Sequence, residues 1–169
     1  MVEISLRQEE ARLVYLAVAY HLGRPGSELD PLTKQPVEHG LAEVAQALQP
    51  QLRLAVAIVS LDDNQTNRLL SGMLGSISEL KTYPMLEPRP DGEGGGRRSS
   101  VRGFDATLRH LFPEVEAEPE TSIDLAEQML MLKRLLDQRL ATLPRGQYPG
   151  PAPAAELPAR KKGWWPLGR

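Results

Sequence analysis

The last helical segment of this chain constrains the fold most strongly, because its large apolar residues recur at steps of three and four. The segment begins at a capping box, Thr121-Ser122-Ile123-Asp124, and ends before Pro144. Its apolar face consists of Leu125, Met129, Leu132, Leu136, Leu140 and Leu143. This stripe is shorter than the roughly three to four heptads typical of a coiled coil. We therefore expect the helix to pack against other helices of the same domain.

Similar apolar stripes and helix caps predict further helices along the chain. Aromatic residues make up only 5% of the sequence, so aliphatic residues must form the core, which favours packed helices over a β-sandwich. We predict an all-α fold, an irregular bundle of about five helices. The helices before the last one begin at the Ser5-x-x-Gln8 capping box, at Pro36, after Asp62-Asp63 and at Phe104.

In residues 52–61 two periodicities compete. Large apolar residues occupy positions 52, 54, 56 and 58, and such alternation is typical of a β-strand. No other segment alternates convincingly, and a single strand would have no partner. We therefore predict a buried helix here, with a strand as the alternative.

Composition divides the chain into a helical domain and a tail. Residues 1–82 form the predicted main body, 83–103 a flexible Gly-rich loop, and 104–143 a helical hairpin packed on the body. Residues 144–169 are rich in proline and basic residues. Such a segment buries too little surface to offset its ordering entropy, so we expect it to be extended and disordered.

Four small residues form a second pattern, inside the third predicted helix. Ser71, Gly72, Gly75 and Ser76 pair serine with glycine at a spacing of four. A glycine costs about 1 kcal/mol relative to alanine in a helix interior. We therefore predict that a second helix approaches this face closely, within the chain or in a second copy of it.

The residues needed for most catalytic or metal sites are missing or isolated. The absence of cysteine excludes disulfides, zinc thiolates and thiol nucleophiles. His21, His39 and His110 stand singly, without the spacing of a metal site, and no serine lies in a nucleophile-elbow pattern. We predict a non-enzymatic protein without a metal or cofactor.

Charge and hydropathy limit the cellular location and the kinds of partner that we expect. The sequence contains no export signal and no apolar run long enough to span a membrane, which predicts a cytoplasmic protein. Acidic residues outnumber basic ones in residues 1–143, so we expect the helical body to repel nucleic acid. The tail is basic, with only Glu156 opposing Arg145, Arg160, Lys161, Lys162 and Arg169.

Both tryptophans of the chain, Trp164 and Trp165, lie within its last six residues, just after Arg160, Lys161 and Lys162. Tryptophans that a sequence leaves exposed usually bind to some surface. We predict that residues 160–169 dock on a partner; the alternatives are docking on the protein's own surface and weak contact with an anionic membrane interface.

The sequence as a whole predicts an interaction or assembly protein. It would engage another protein, or a second copy of itself, through helix faces and the C-terminal tryptophan peptide. The alternative is a small helical regulator that contacts nucleic acid through its basic loop and tail.

Overall fold

The structure is a computed structural model that describes residues 1–30, 32–37, 39–88 and 96–142. Helices account for 63% of it, which confirms the prediction of a mainly helical domain. The described residues contain two strands, β1 (Val2–Arg7) and β2 (Val56–Leu61). Their α-helices are α1 (Gln8–Gly23), α2 (Leu41–Leu48), α3 (Asp63–Thr82), α4 (Phe104–Leu111), α5 (Glu114–Ala117) and α6 (Thr121–Thr142). Turns of 3-10 helix follow α2 and α3, at Gln49–Gln51 and Tyr83–Met85.

A small antiparallel sheet makes the all-α class wrong, because β2 occupies most of the segment predicted as a buried helix, residues 52–61. β2 pairs with β1 in a register that runs from Val2 opposite Leu61 to Arg7 opposite Val56. The predicted cap at Ser5 is also wrong, because Ser5 lies within β1. Helix α1 begins only after Arg7, whose N–H donates to the Glu10 carboxylate over 2.8 Å.

The hydrophobic core lies between the sheet and the helices. Helix α1 contacts α2, α3, α4 and both strands, and α6 packs along α3. The apolar stripe of α6 supplies Leu125, Met129, Leu132 and Leu136 to the core. The inner face of the sheet contributes Ile4, Leu6, Ala57, Val59 and Leu61. The sheet therefore covers one side of a helical body.

Local side-chain chemistry sets two helix boundaries. Asp62 caps α3 in a capping box: its carboxylate accepts from the Gln65 N–H over 2.7 Å, and the Gln65 amide oxygen accepts from the Asp62 N–H. Helix α2 begins at Leu41 and not at Pro36, because Pro36 forms a β-bridge with Leu29 instead.

Candidate functional site

The sequence-predicted docking peptide lies outside the described residues. This applies to Arg160, Lys161, Lys162, Trp164 and Trp165, and also to the proline-rich segment before them. The site residues that the structure does describe lie on α3.

The small-residue face of α3 packs against α1 of the same chain. A Cβ atom on Gly72 would lie 2.8 Å from the Ala17 carbonyl oxygen, and one on Gly75 would overlap the Tyr20 ring. Ser76 is fully buried and Ser71 is exposed. Gly72 and Gly75 therefore lie at this helix contact.

His21 belongs to a polar cluster that contacts the loop after α1. Its Nε2 lies 3.0 Å from the Glu28 carboxylate, and Arg68 donates to the Ser27 carbonyl from the same side. Burial lowers the pKa of His21, although Glu28 opposes the shift. Within the described residues, no three His, Asp or Glu side chains are grouped so as to hold a metal ion.

A second polar cluster surrounds Asp105, which is 1% exposed. Its Oδ1 accepts from the Tyr83 hydroxyl over 2.7 Å and from the Arg97 N–H over 3.1 Å, while Arg109 approaches Oδ2. Burial and this carboxylate raise the pKa of Tyr83. The Arg97 guanidinium donates to the Pro84 carbonyl over 2.8 Å. The cluster thus anchors the start of the predicted flexible loop, 83–103, and the interior residue Arg97 to Asp105 of α4.

The two edges of the sheet are in different environments. Along β2, the Gln51 amide oxygen accepts from the Ile58 N–H over 2.9 Å, and its amide nitrogen donates to the Ile58 carbonyl over 3.0 Å. The main-chain groups of Ile58 therefore point away from β1. The Gln51 side chain covers this edge in the way a neighbouring strand would.

The outward direction of the Ile58 main-chain groups determines which main-chain groups of β1 point away from β2. Ser5 lies opposite Ile58, and facing residues of an antiparallel pair either bond to each other or both point outward. The N–H and C=O of Ser5 therefore point away from β2, as do those of Glu3 two residues earlier. At Arg7 the outward N–H is bonded to Glu10. The described residues place no third strand beside Glu3 and Ser5.

A groove runs along this edge of β1, between the strand and the C-terminal half of α6. Its volume is about 380 Å³. Leu136 and Leu140, one helical turn apart, form its apolar wall. The complete lining comprises Val2, Glu3, Ile4, Ser5, Leu136, Arg139 and Leu140. The groove thus combines outward-pointing main-chain groups with an apolar helix face.

The outer face of the sheet carries exposed apolar residues on β2. Val56 and Ile58 are 55% and 49% exposed, and Leu54 just before the strand is 51% exposed. On β1 the same face is polar, with Glu3, Ser5 and Arg7.

Sequence reasoning missed the groove, although part of its signal is visible. The alternation of Val2, Ile4 and Leu6 with polar residues indicates a strand. The proximity of that strand to Leu136 and Leu140 is a tertiary feature that no local pattern carries.

Comparison of the chain with models of known protein families, with curated proteins and with solved structures gives no match. In the described part of the chain, no helix has the length and apolar character needed to cross a membrane.

Proposed function

We propose that this protein is a non-enzymatic interaction module that binds an extended peptide segment by strand addition to β1. One observation supports this most directly: the main-chain groups of Glu3 and Ser5 point into a groove whose opposite wall is Leu136 and Leu140. In strand addition, main-chain hydrogen bonds supply affinity and the alternate side chains supply selectivity.

The groove defines the chemistry of its ligand. An added strand would direct every second side chain toward the helices, where Leu136 and Leu140 favour large apolar groups. The intervening side chains would lie beside Glu3 and Ser5 on the polar outer face. Proline is excluded from the paired positions because it has no N–H to donate. The ligand is therefore a proline-free extended segment that directs a large apolar side chain toward Leu136 and Leu140.

This proposal makes the sequence-based hypothesis of an interaction protein more specific, because it moves the docking surface from helix faces to a strand edge beside one helix. Nucleic-acid contact through the central loop has less support, because the Arg97 guanidinium donates to the Pro84 and Leu86 carbonyls. The acidic balance of the body also opposes contact with phosphate.

Random heptapeptides displayed on phage and selected against the full-length Trp164→Ala, Trp165→Ala variant, in which the chain's own tryptophan peptide cannot compete, would test the proposal. We expect the enriched peptides to be proline-free and to carry a large apolar residue, and we expect Ser5→Pro to weaken their binding at least tenfold, because it removes an N–H from the open edge. Ser60→Pro is the matched control, because Ser60 lies opposite Glu3 and its N–H points away from both β1 and the groove. Equal binding by the two variants in a titration with the synthetic peptides would disprove strand addition at β1.

A further inference from the structure

We infer that the ligand of the groove is a segment of this same chain, residues 159–165, which pairs with β1 as a third strand. This inference rests on the proposed peptide-binding function of the groove. It replaces the unspecified extended peptide with one sequence, Ala159-Arg160-Lys161-Lys162-Gly163-Trp164-Trp165.

The path of the chain favours this segment over an external peptide. Helix α6 ends at Thr142, two residues after Leu140 of the groove wall, so the chain leaves the helix beside the groove. The residues from 143 to 158 span roughly 20–24 Å as a flexible coil and about 50 Å as extended polyproline II, and either is enough to cover the ~20 Å length of a six-residue strand. A tether of this kind holds its ligand at an effective concentration on the order of millimolar. An external peptide of equal affinity at micromolar concentration would therefore be displaced.

The distribution of prolines selects the position within the tail. Residues 159–165 form the longest proline-free run after α6, between Pro158 and Pro166. Every residue of the run can donate its N–H to a strand partner. The run is also long enough to pair with the whole of Val2–Arg7, and its two tryptophans favour strand conformation.

The two tryptophans of the run suit the apolar wall of the groove. Adjacent strand residues point to opposite faces, so one of Trp164 and Trp165 would contact Leu136 and Leu140 while the other lies beside Glu3 and Ser5. The basic run before them is attracted to an acidic body. Two of the lining residues are charged. Arg139 carries a positive charge on the α6 wall, and Glu3 carries a negative charge on the opposite, β1 wall.

Tryptophan fluorescence of the full chain tests the inference directly, because both tryptophans of the protein lie in this segment. We expect blue-shifted emission that acrylamide quenches poorly. Leu140→Glu places a charge in the groove wall and should shift the emission to that of exposed tryptophan. Leu135→Glu, at an exposed position of α6 outside the groove, is the matched control and should leave the emission unchanged.

Ser5→Pro gives the same test through the strand, with Ser60→Pro as its control and circular dichroism to verify folding of each variant. Exposed tryptophans in the wild-type chain would overturn the inference. A blue shift that survives both Leu140→Glu and Ser5→Pro would also overturn it. Emission that turns blue only as the protein concentration and the sedimenting mass rise would overturn it in favour of exchange between two copies.

A labelled peptide with the sequence of residues 159–169, titrated by fluorescence anisotropy, separates this inference from the proposed function. We expect it to bind the full-length Trp164→Ala, Trp165→Ala double variant about tenfold more tightly than the wild-type chain, because the variant no longer fills its own groove. Equal binding to both chains, lost in Ser5→Pro, would reject the intramolecular ligand and keep the peptide-binding groove. Binding to neither chain, together with exposed wild-type tryptophans, would reject both.

Discussion

The two edges of the sheet differ in what meets their outward main-chain groups. On β2, the side chain of Gln51 bonds both main-chain groups of Ile58 and also donates to the Ala47 carbonyl. On β1, Glu3 and Ser5 face a groove against Leu136 and Leu140. Exposed strand edges invite uncontrolled pairing, and proteins commonly cover them. The contrast shows that a single glutamine bonds the main-chain groups at the middle of one edge, while the other edge faces a groove with an apolar helix wall.

Leu6→Ala should have the largest effect, because it removes a fully buried side chain from the inner face on which both edges depend. We expect it to lower the free energy of unfolding by about 2–5 kcal/mol. Urea denaturation followed by circular dichroism measures the loss. A change below about 1 kcal/mol would mean that the sheet is not part of the cooperative core.

Gln51→Ala should open the outer edge of β2. It removes two hydrogen bonds at the outer edge of β2 and a third to the Ala47 carbonyl, and at an exposed site we expect a stability loss of about 1–2 kcal/mol. It should also increase concentration-dependent association, because the outer edge of β2 becomes open.

Gln49→Ala is the control for this comparison, because Gln49 is an exposed glutamine of the same 3-10 turn. Sedimentation velocity across a range of concentrations would compare the two variants. Identical sedimentation and identical stability would show that Gln51 does not protect the edge.

Ser5→Pro and Ile58→Pro sharpen the comparison, because each removes one outward-pointing N–H. The N–H of Ile58 is bonded to Gln51, whereas that of Ser5 points into the groove. In the full-length Trp164→Ala, Trp165→Ala variant, in which residues 159–165 no longer fill the groove, we expect Ile58→Pro to destabilise the protein by about 1 kcal/mol more than Ser5→Pro. Thermal unfolding of the two variants side by side gives the difference, and an equal loss would contradict the assignment of the open edge.

Acidification should give the smallest effect, and it acts away from both edges. Burial lowers the pKa of His21 below its ordinary value of 6.5, so the unfolded chain binds a proton before the folded protein does as the pH falls. Stability should therefore decrease modestly below about pH 6.5, down to the lowered pKa of the folded state. The decrease attributable to this residue should be absent in His21→Gln.

Peptide binding that follows the same pH curve as stability would show that the His21 cluster and the groove are coupled. We expect binding to stay constant over this range, because the cluster of His21, Glu28 and Arg68 lies outside the groove lining.

The periodic helices were predictable because their signals are local. The three- and four-residue spacing of Leu125, Met129 and Leu132 predicts α6, and the acidic pair at Asp62-Asp63 predicts the start of α3. A helix closes its main-chain hydrogen bonds within a few residues, so its cap and its apolar face both appear in the sequence next to it.

The groove was not predictable in the same way, because its walls are far apart in the sequence. β1 belongs to the first residues of the chain, and Leu136 and Leu140 belong to the last helix. Their proximity results from the packing of α1 against the sheet and of α6 along α3.

The sequence by itself determined the helical character of the body, the main helical stripes and the absence of cysteine chemistry. Tertiary structure decided whether residues 52–61 form a strand and which face of it is buried. Apolar residues occupy both alternating sets of β2, and the sheet buries Ala57, Val59 and Leu61 while Val56 and Ile58 are exposed. A strand bonds to a partner that is remote in sequence, so its pairing and register depend on what the rest of the chain places beside it.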